Sequence, residues 1–283
     1  MHKNSRTDIV AGIKQNLLLG FAVAIYWSLA LLDPWNLFGN ASETVRFIQN
    51  LAWLSFVLIH GIKRYGWDNM VVFFGITFII SWSTETASIA MGFPFGNYYY
   101  TDLLGVKIGT VPLTIMPAYF AAGYLAWTMG TIFLGNLGTG IERRNLFLVP
   151  FVAGFIMVMW DFCFDPINST INGAWIWEGG GAYYGVPISN YFGWYLTVFL
   201  IYQVFALYLY RFSINGRLGQ SKTYWYLAPV MFLGLALECL LNPFFQTANL
   251  EIYWSLFLGA IFTMVFTSIL SIIFVKRLDE ECF

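Results

Sequence analysis

Apolar residues run through this chain in blocks long enough to cross a bilayer, separated by short polar joints. A transmembrane helix needs about 20 predominantly apolar residues. Eight such runs are read, at 16–32, 44–60, 70–91, 113–134, 146–164, 191–211, 224–241 and 252–275. The first follows Lys3, Arg6 and Lys14 as a signal peptide would. No small-residue cleavage site comes after it and seven further runs do, so it is expected to be a retained helix. The pattern predicts an all-α, polytopic membrane helix bundle of about eight transmembrane helices, with residues 1–283 forming a single integral membrane domain.

Two segments break the pattern. Residues 92–112 and 165–190 are rich in Gly, Pro, Tyr and Trp and too apolar for solvated loops. Irregular backbone at membrane depth is tolerated where protein covers it or where it lines a cavity. Both segments are therefore expected to fold back over one end of the bundle as lids. An interfacial aromatic belt accounts for some of the Tyr and Trp but not for the density of Gly and Pro.

Composition agrees: 59% of residues are hydrophobic, 20% aromatic and 10% charged, where soluble domains carry roughly 25% charged residues. The formal net charge of −1 gives no reason to expect a nucleic-acid partner; the expected surroundings are the lipid bilayer. Of the 14 basic residues, all but Arg46 and Lys107 fall in alternate joints or at the ends of the chain. By the positive-inside rule both termini are expected in the cytoplasm, in a bacterial or archaeal inner membrane. Cys163, Cys239 and Cys282 make no CxxC pair and imply no disulfide framework; Cys163 and Cys239 read as small buried hydrophobes. His2 and His60 are the two histidines, too few for a histidine-box iron site, and no GxGxxG or Walker pattern is present.

Candidate chemistry lies in the acids. Glu85, Asp161 and Glu238 each sit near the end of an apolar run, on the side away from the expected cytoplasm. An ionisable group in hydrocarbon costs about 3 kcal/mol or more and is usually functional. Ser81, Glu85 and Ser88 share one face of their helix by spacing. Asp161 and Asp165 form an i,i+4 pair in DFCFDP, and Glu238 and Asn242 repeat the arrangement in ECLLNP. The first run likewise ends in Asp33-Pro34; proline disfavours helix in the preceding residue, so Asp/Asn-Pro also reads as a helix stop. Burial favours the neutral form of a carboxyl group, and a neutral carboxyl can act as general acid. Tyr98, Tyr100, Trp175, Trp177 and Tyr184 crowd the lid segments, with Trp194 just after the second, and ring faces attract cations when water is excluded. An acid beside aromatic faces suits protonation of an isolated alkene to a tertiary carbocation; it equally suits binding of a long polyene.

The segments GFPFGNYYYTD from Gly92, DFCFDP from Asp161, WIWEGGGAYYG from Trp175 and VPISNYFGW from Val186 resemble the CruF-type membrane carotenoid-biosynthesis proteins, which include carotenoid 1,2-hydratases and bisanhydrobacterioruberin hydratases. The resemblance covers about residues 85–194. Here Pro117-Ala118-Tyr119 follows the first lid where a Trp is common, and Asn190-Tyr191-Phe192 stands where Asn-Phe is usual. The resemblance implies a hydro-lyase that needs no cofactor or metal and adds water across the terminal 1,2 double bond of a ψ-end carotenoid. Hydration requires an acid for the alkene, a cavity that stabilises positive charge and a base for water. Asp161 or Glu85 is expected to donate the proton. Asp165, with Asn190, is expected to position water near a wetter mouth. Tyr98, Tyr100, Trp175, Trp177, Tyr184, Trp194 and Glu238 are expected to bind the carotenoid or other long isoprenoid.

Three other readings stand beside this one. An isoprenoid cyclase would start with the same acid. An intramembrane prenyltransferase would use Asp161 and Asp165 as a magnesium–diphosphate site, but such a site needs basic residues, and Lys107 is the sole one in either lid segment. A proton-coupled transporter needs a polar path, whereas the cytoplasmic halves of the runs read as almost wholly apolar.

Overall fold

The computed structural model describes residues 5–32, 42–213, 216 and 219–278. The Asp33-Pro34 helix stop, Cys282, His2, Lys3 and Arg217 lie outside them. The helices are α1 (Ser5–Leu32), α2 (Ser42–Met91), α3 (Ile115–Phe133), α4 (Leu148–Asp165), α5 (Ile188–Phe212), α6 (Lys222–Phe245), α7 (Leu250–Ala260) and α8 (Phe266–Arg277). Among the described residues, five helical stretches are long and apolar enough to cross a membrane: Thr44–Met91, Leu148–Ile171, Ile188–Phe212, Lys222–Phe245 and Leu250–Arg277. This is an integral membrane protein. Asn16–Leu32 is a shorter apolar helix.

The runs expected at 44–60 and 70–91 lie in one helical stretch, α2, broken at Gly66, where φ is 79° and ψ is 167°. That backbone region is essentially closed to residues with a Cβ, so glycine allows the chain to bend without a loop. Met70 packs back onto Gly61. At the α3–α4 crossing, Gly130 lies against Ala153, the close backbone approach that small residues permit between membrane helices.

Pro166 does not end its helix, contrary to the helix-stop expectation. The chain continues from α4 through a wide π turn, Pro166–Ile171. Proline removes one backbone donor, and the wider turn leaves carbonyls to be capped by local side chains. Asn168 Nδ2 donates to the Phe164 carbonyl at 3.1 Å and Ser169 Oγ to that of Asp165 at 2.8 Å. Pro243 likewise lies inside α6.

The bundle is not purely helical. Strand β1 (Tyr98–Tyr100) pairs antiparallel with β4 (Trp175–Trp177), and β2 (Lys107–Ile108) pairs with β3 (Val111–Pro112). The first ribbon ties the two Gly/Pro/aromatic segments together. Ser88 Oγ anchors the first of them, accepting from Phe95 N and donating to the Gly96 carbonyl, both at 3.0 Å.

The half of the bundle away from this ribbon is more polar than its sequence suggested. Arg64, counted above among the loop cations, is 1% exposed. Its guanidinium donates to Thr131 Oγ1 at 2.9 Å and to the carbonyls of Asn136 and Gly138 at 2.7 and 3.2 Å, and stacks on Tyr65 and Trp225. His60 Nδ1 lies 2.6 Å from the Tyr124 hydroxyl and its ring stacks on Tyr224 at 3.9 Å. The reason is that a buried turn must satisfy its own carbonyls; here an arginine from the neighbouring bend supplies the donors.

Candidate active site

Side chains alternate across a strand with a period of two, and that alternation builds the site. In β1, Tyr98 and Tyr100 face inward while Tyr99 faces out; opposite them, Trp177 and Trp175 pair with Tyr98 and Tyr100, and Ile176 pairs with Tyr99. The inward residues meet acids from two helices. Both the Tyr98 and Tyr100 hydroxyls donate to Glu85 Oε2, the latter at 2.9 Å, and Tyr119 donates to Oε1 at 2.9 Å. The indole N–H groups of Trp175 and Trp177 donate to Asp165 Oδ1 at 3.0 and 3.3 Å. Burial, then the adjacent Glu85 carboxyl, push the Tyr98 and Tyr100 phenols well above the ordinary tyrosine range, so both remain donors at neutral pH.

Asp161 and Asp165 sit one turn apart on α4 and share the amide of Asn190, whose Nδ2 lies 2.9 Å from Asp161 Oδ2 and 2.5 Å from Asp165 Oδ2. Asn190 comes from the first turn of α5, positioned by the Pro187 carbonyl accepting its backbone N–H at 3.0 Å. All three carboxyls and Asn190 are buried, none more than 3% exposed.

These groups line a cavity of about 60 Å³. Its walls are aromatic: Tyr119 and Trp194 lie parallel with centroids 4.2 Å apart, Trp160 meets Trp194 edge-on at 6.0 Å, and Phe95 and Phe164 complete the ring. Among the described residues, no Lys or Arg lines it.

The structure thus gathers Glu85, Asp161, Asp165, Tyr98, Tyr100, Trp175, Trp177, Asn190 and Trp194 around one cavity. Two expected site residues lie elsewhere. Tyr184 sits in a turn, donating to Ser255 Oγ at 2.5 Å. Glu238 lines a second, larger cavity together with Asn242, so the ECLLNP echo of DFCFDP does not make a shared carboxyl cluster. Nor is Asp165 at a wet mouth: the tryptophans of β4 cover it. Sequence reading passed over Tyr119, Phe95, Trp160 and Phe164. Tyr119 had a signal, its place in a Pro-Ala-Tyr segment where the resembling family commonly has a Trp; the other three look like ordinary membrane aromatics.

A family profile described as "Carotenoid biosynthesis protein" matches residues 45–270. The bisanhydrobacterioruberin hydratase of Haloarcula japonica is 28% identical over 141 residues, which is 50% of this chain and 46% of that protein. The matched stretch therefore spans less than half of the relative's length. No solved structure matches. The residues matched by the profile include the whole carboxyl cavity, and the chain belongs to the carotenoid biosynthesis protein family.

Proposed function

We propose that this protein is a carotenoid hydratase: it protonates the terminal 1,2 double bond of a ψ-end carotenoid and adds water to the tertiary cation. The observation that carries this reading is the convergence of Glu85, Asp161 and Asp165 on one aromatic-walled cavity. The similarity to a hydratase supports it.

The roles follow from hydrogen bonding. Hydrogen bonds donated to a carboxylate favour its charged form. Glu85 accepts from three phenols, and Asp165 from two indoles and an amide. Among the described residues Asp161 accepts from one donor, Asn190, so it is the group left to carry a proton. Asp161 gives its proton to C2 of the terminal alkene, leaving a tertiary cation at C1. The faces of Tyr119, Trp160 and Trp194 stabilise the cation. Water held at Asp165 attacks C1 and passes a proton to that carboxylate. Its return to Asp161 across the shared Asn190 environment restores the starting state, with one water added to the carotenoid. No step asks for a redox cofactor.

The cyclase reading uses the same acid but excludes water at the cation. The similarity to a hydratase favours hydration. In this reading eight helices cross the membrane, α2 and the α7–α8 rod contributing two and one respectively. The segments 92–112 and 165–190 act as lids, and both termini are cytoplasmic. Expression in a lycopene-producing host, followed by mass analysis of the pigments, tests the proposal. Hydration adds the mass of water to the carotenoid, with oxygen drawn from labelled water; an isomer of unchanged mass, or oxygen from O₂, overturns it.

A further inference from the structure

A cavity of about 630 Å³ lies beside the carboxyl site, between α1, α2, α3, α4 and α6. It falls within the roughly 300–1,000 Å³ of small-molecule sites. The two cavities have six lining residues in common: Ile115, Ala118, Trp160, Phe164, Asn168 and Trp175. One aromatic wall therefore serves both. Its near part is mostly apolar, with Leu113, Ala121 and Leu54 on it beside Thr114, Asn168 and Asn172. Its far part is more polar. Arg46, Gln49 and Asn50 occupy one face of α2 by their i,i+3 and i,i+4 spacing, and Glu238 and Asn242 lie one turn apart on α6. Tyr26 hydrogen-bonds Gln49, and the polar groups from α2 and α6 line the same cavity.

A cavity for a wholly hydrocarbon chain has no use for five polar side chains at one end, since each must lose water when that end is covered. We propose that the larger cavity holds the remainder of the isoprenoid whose reacting end sits among the carboxyls, and that Arg46, Gln49, Asn50 and Glu238 recognise an oxygen-bearing far end, such as a hydroxyl. This rests on the hydratase reading for the reacting end, but it makes a claim about binding that stands separately. It assigns Ala121 and Leu235 to the chain wall and Gln49 and Asn50 to selection of the far end.

The test measures bound pigment as well as turnover. Wild type and Ala121→Phe are purified from a host making a C40 acyclic carotene, and pigment and phospholipid are quantified per mole of protein. Each is also assayed with the C40 carotene and with a C10 acyclic terpene carrying the same terminal alkene. The expected result is that Ala121→Phe loses bound C40 pigment and falls at least about tenfold in C40 turnover relative to C10 turnover, because only the long chain reaches the filled cavity. Wild-type pigment content in Ala121→Phe overturns the proposal. So does a wild-type cavity that co-purifies with phospholipid in place of pigment. If wild type turns over neither compound, the hydratase reading fails, yet the pigment measurement still decides the cavity. For the far end, wild type is expected to bind a C40 carotenoid with one terminal hydroxyl at least about tenfold tighter than the hydrocarbon, the scale of one good hydrogen bond. In Gln49→Leu/Asn50→Leu that preference is expected to vanish. No preference in wild type, or an unchanged one in the double variant, overturns recognition of the far end.

Discussion

Glu85 and Asp165 are held by opposite strands of one two-stranded ribbon: Tyr98 and Tyr100 of β1 donate to Glu85, and Trp175 and Trp177 of β4 donate to Asp165. Because Tyr98 pairs with Trp177 and Tyr100 with Trp175, a one-residue slip would turn a strand's inward side chains to the other face and cost its acid the two donors that strand supplies. The ribbon thus fixes two carboxyls as acceptors. Asp161, which among the described residues accepts from Asn190, stands apart, and it is the proposed proton donor.

Asp161→Asn is expected to abolish conversion of an acyclic carotene in a co-expressing host. General acid catalysis contributes about 10²–10⁴-fold, and the loss should be at least the lower figure. The amide keeps the shape of the carboxyl, so membrane insertion and yield should match wild type. Wild-type turnover in this variant removes the central assignment.

Glu85→Gln is expected to impair turnover severely through a different route. Its carboxylate accepts on both oxygens, from Tyr98 and Tyr100 on one and Tyr119 on the other. An amide offers one acceptor oxygen and turns a donor towards the remaining phenol. A buried donor left without its acceptor costs about 1–3 kcal/mol, and the tyrosines should reorient into the cavity. Kinetics of the purified variant decide the matter: full activity would reduce Glu85 to a structural post.

The two halves of the candidate site differed in how readable they were. Membrane-length runs and their intramembrane acids are local properties, so Glu85, Asp161 and Asp165 stood out before any fold was known. The ribbon did not, because its strands are 3 residues each and separated by 74 residues (Tyr100 to Trp175), and alternation over so short a stretch is no signal. Tyr119 was visible as a departure from the usual Trp of the resembling family, but only the fold showed that it points at Glu85. Glu238 misled for a physical reason. The i,i+4 acid–Asn spacing on α6 is the same as on α4, but spacing sets only the face of a helix. Packing decides what that face meets, and α6 turns its polar pair towards α1 and the first half of α2. Arg64 differed similarly: it falls in a joint between two apolar runs, yet carbonyls of the neighbouring turn enclose it.

Glu238→Gln is therefore expected to produce a partial loss only, severalfold and not the collapse expected at Asp161. Glu238 lines the larger cavity and is not among the lining residues of the smaller one. The change should appear mainly in the apparent affinity for substrate. Turnover at saturation equal to that of Asp161→Asn would place Glu238 in the chemistry and contradict the two-cavity division.

Gly193→Ala tests how the segment after α2 docks on α5. A Cβ at Gly193 would come within 2.7 Å of the Pro94 carbonyl oxygen and 2.8 Å of Phe95 Cδ1. Backbone is on one side and a ring that is 1% exposed on the other, so neither neighbour can yield without moving the loop. Overpacking of this kind costs about 1–3 kcal/mol. The same shift would carry Phe95 and the Ser88-anchored turn away from the cavity, and with them the start of β1. The expected outcome is a lowered thermal unfolding temperature in detergent together with weakened turnover, while Gly20→Ala, which meets nothing within 4 Å, leaves both near wild type. If Gly193→Ala unfolds and turns over like wild type, the close docking of this turn against α5 does not hold the site together.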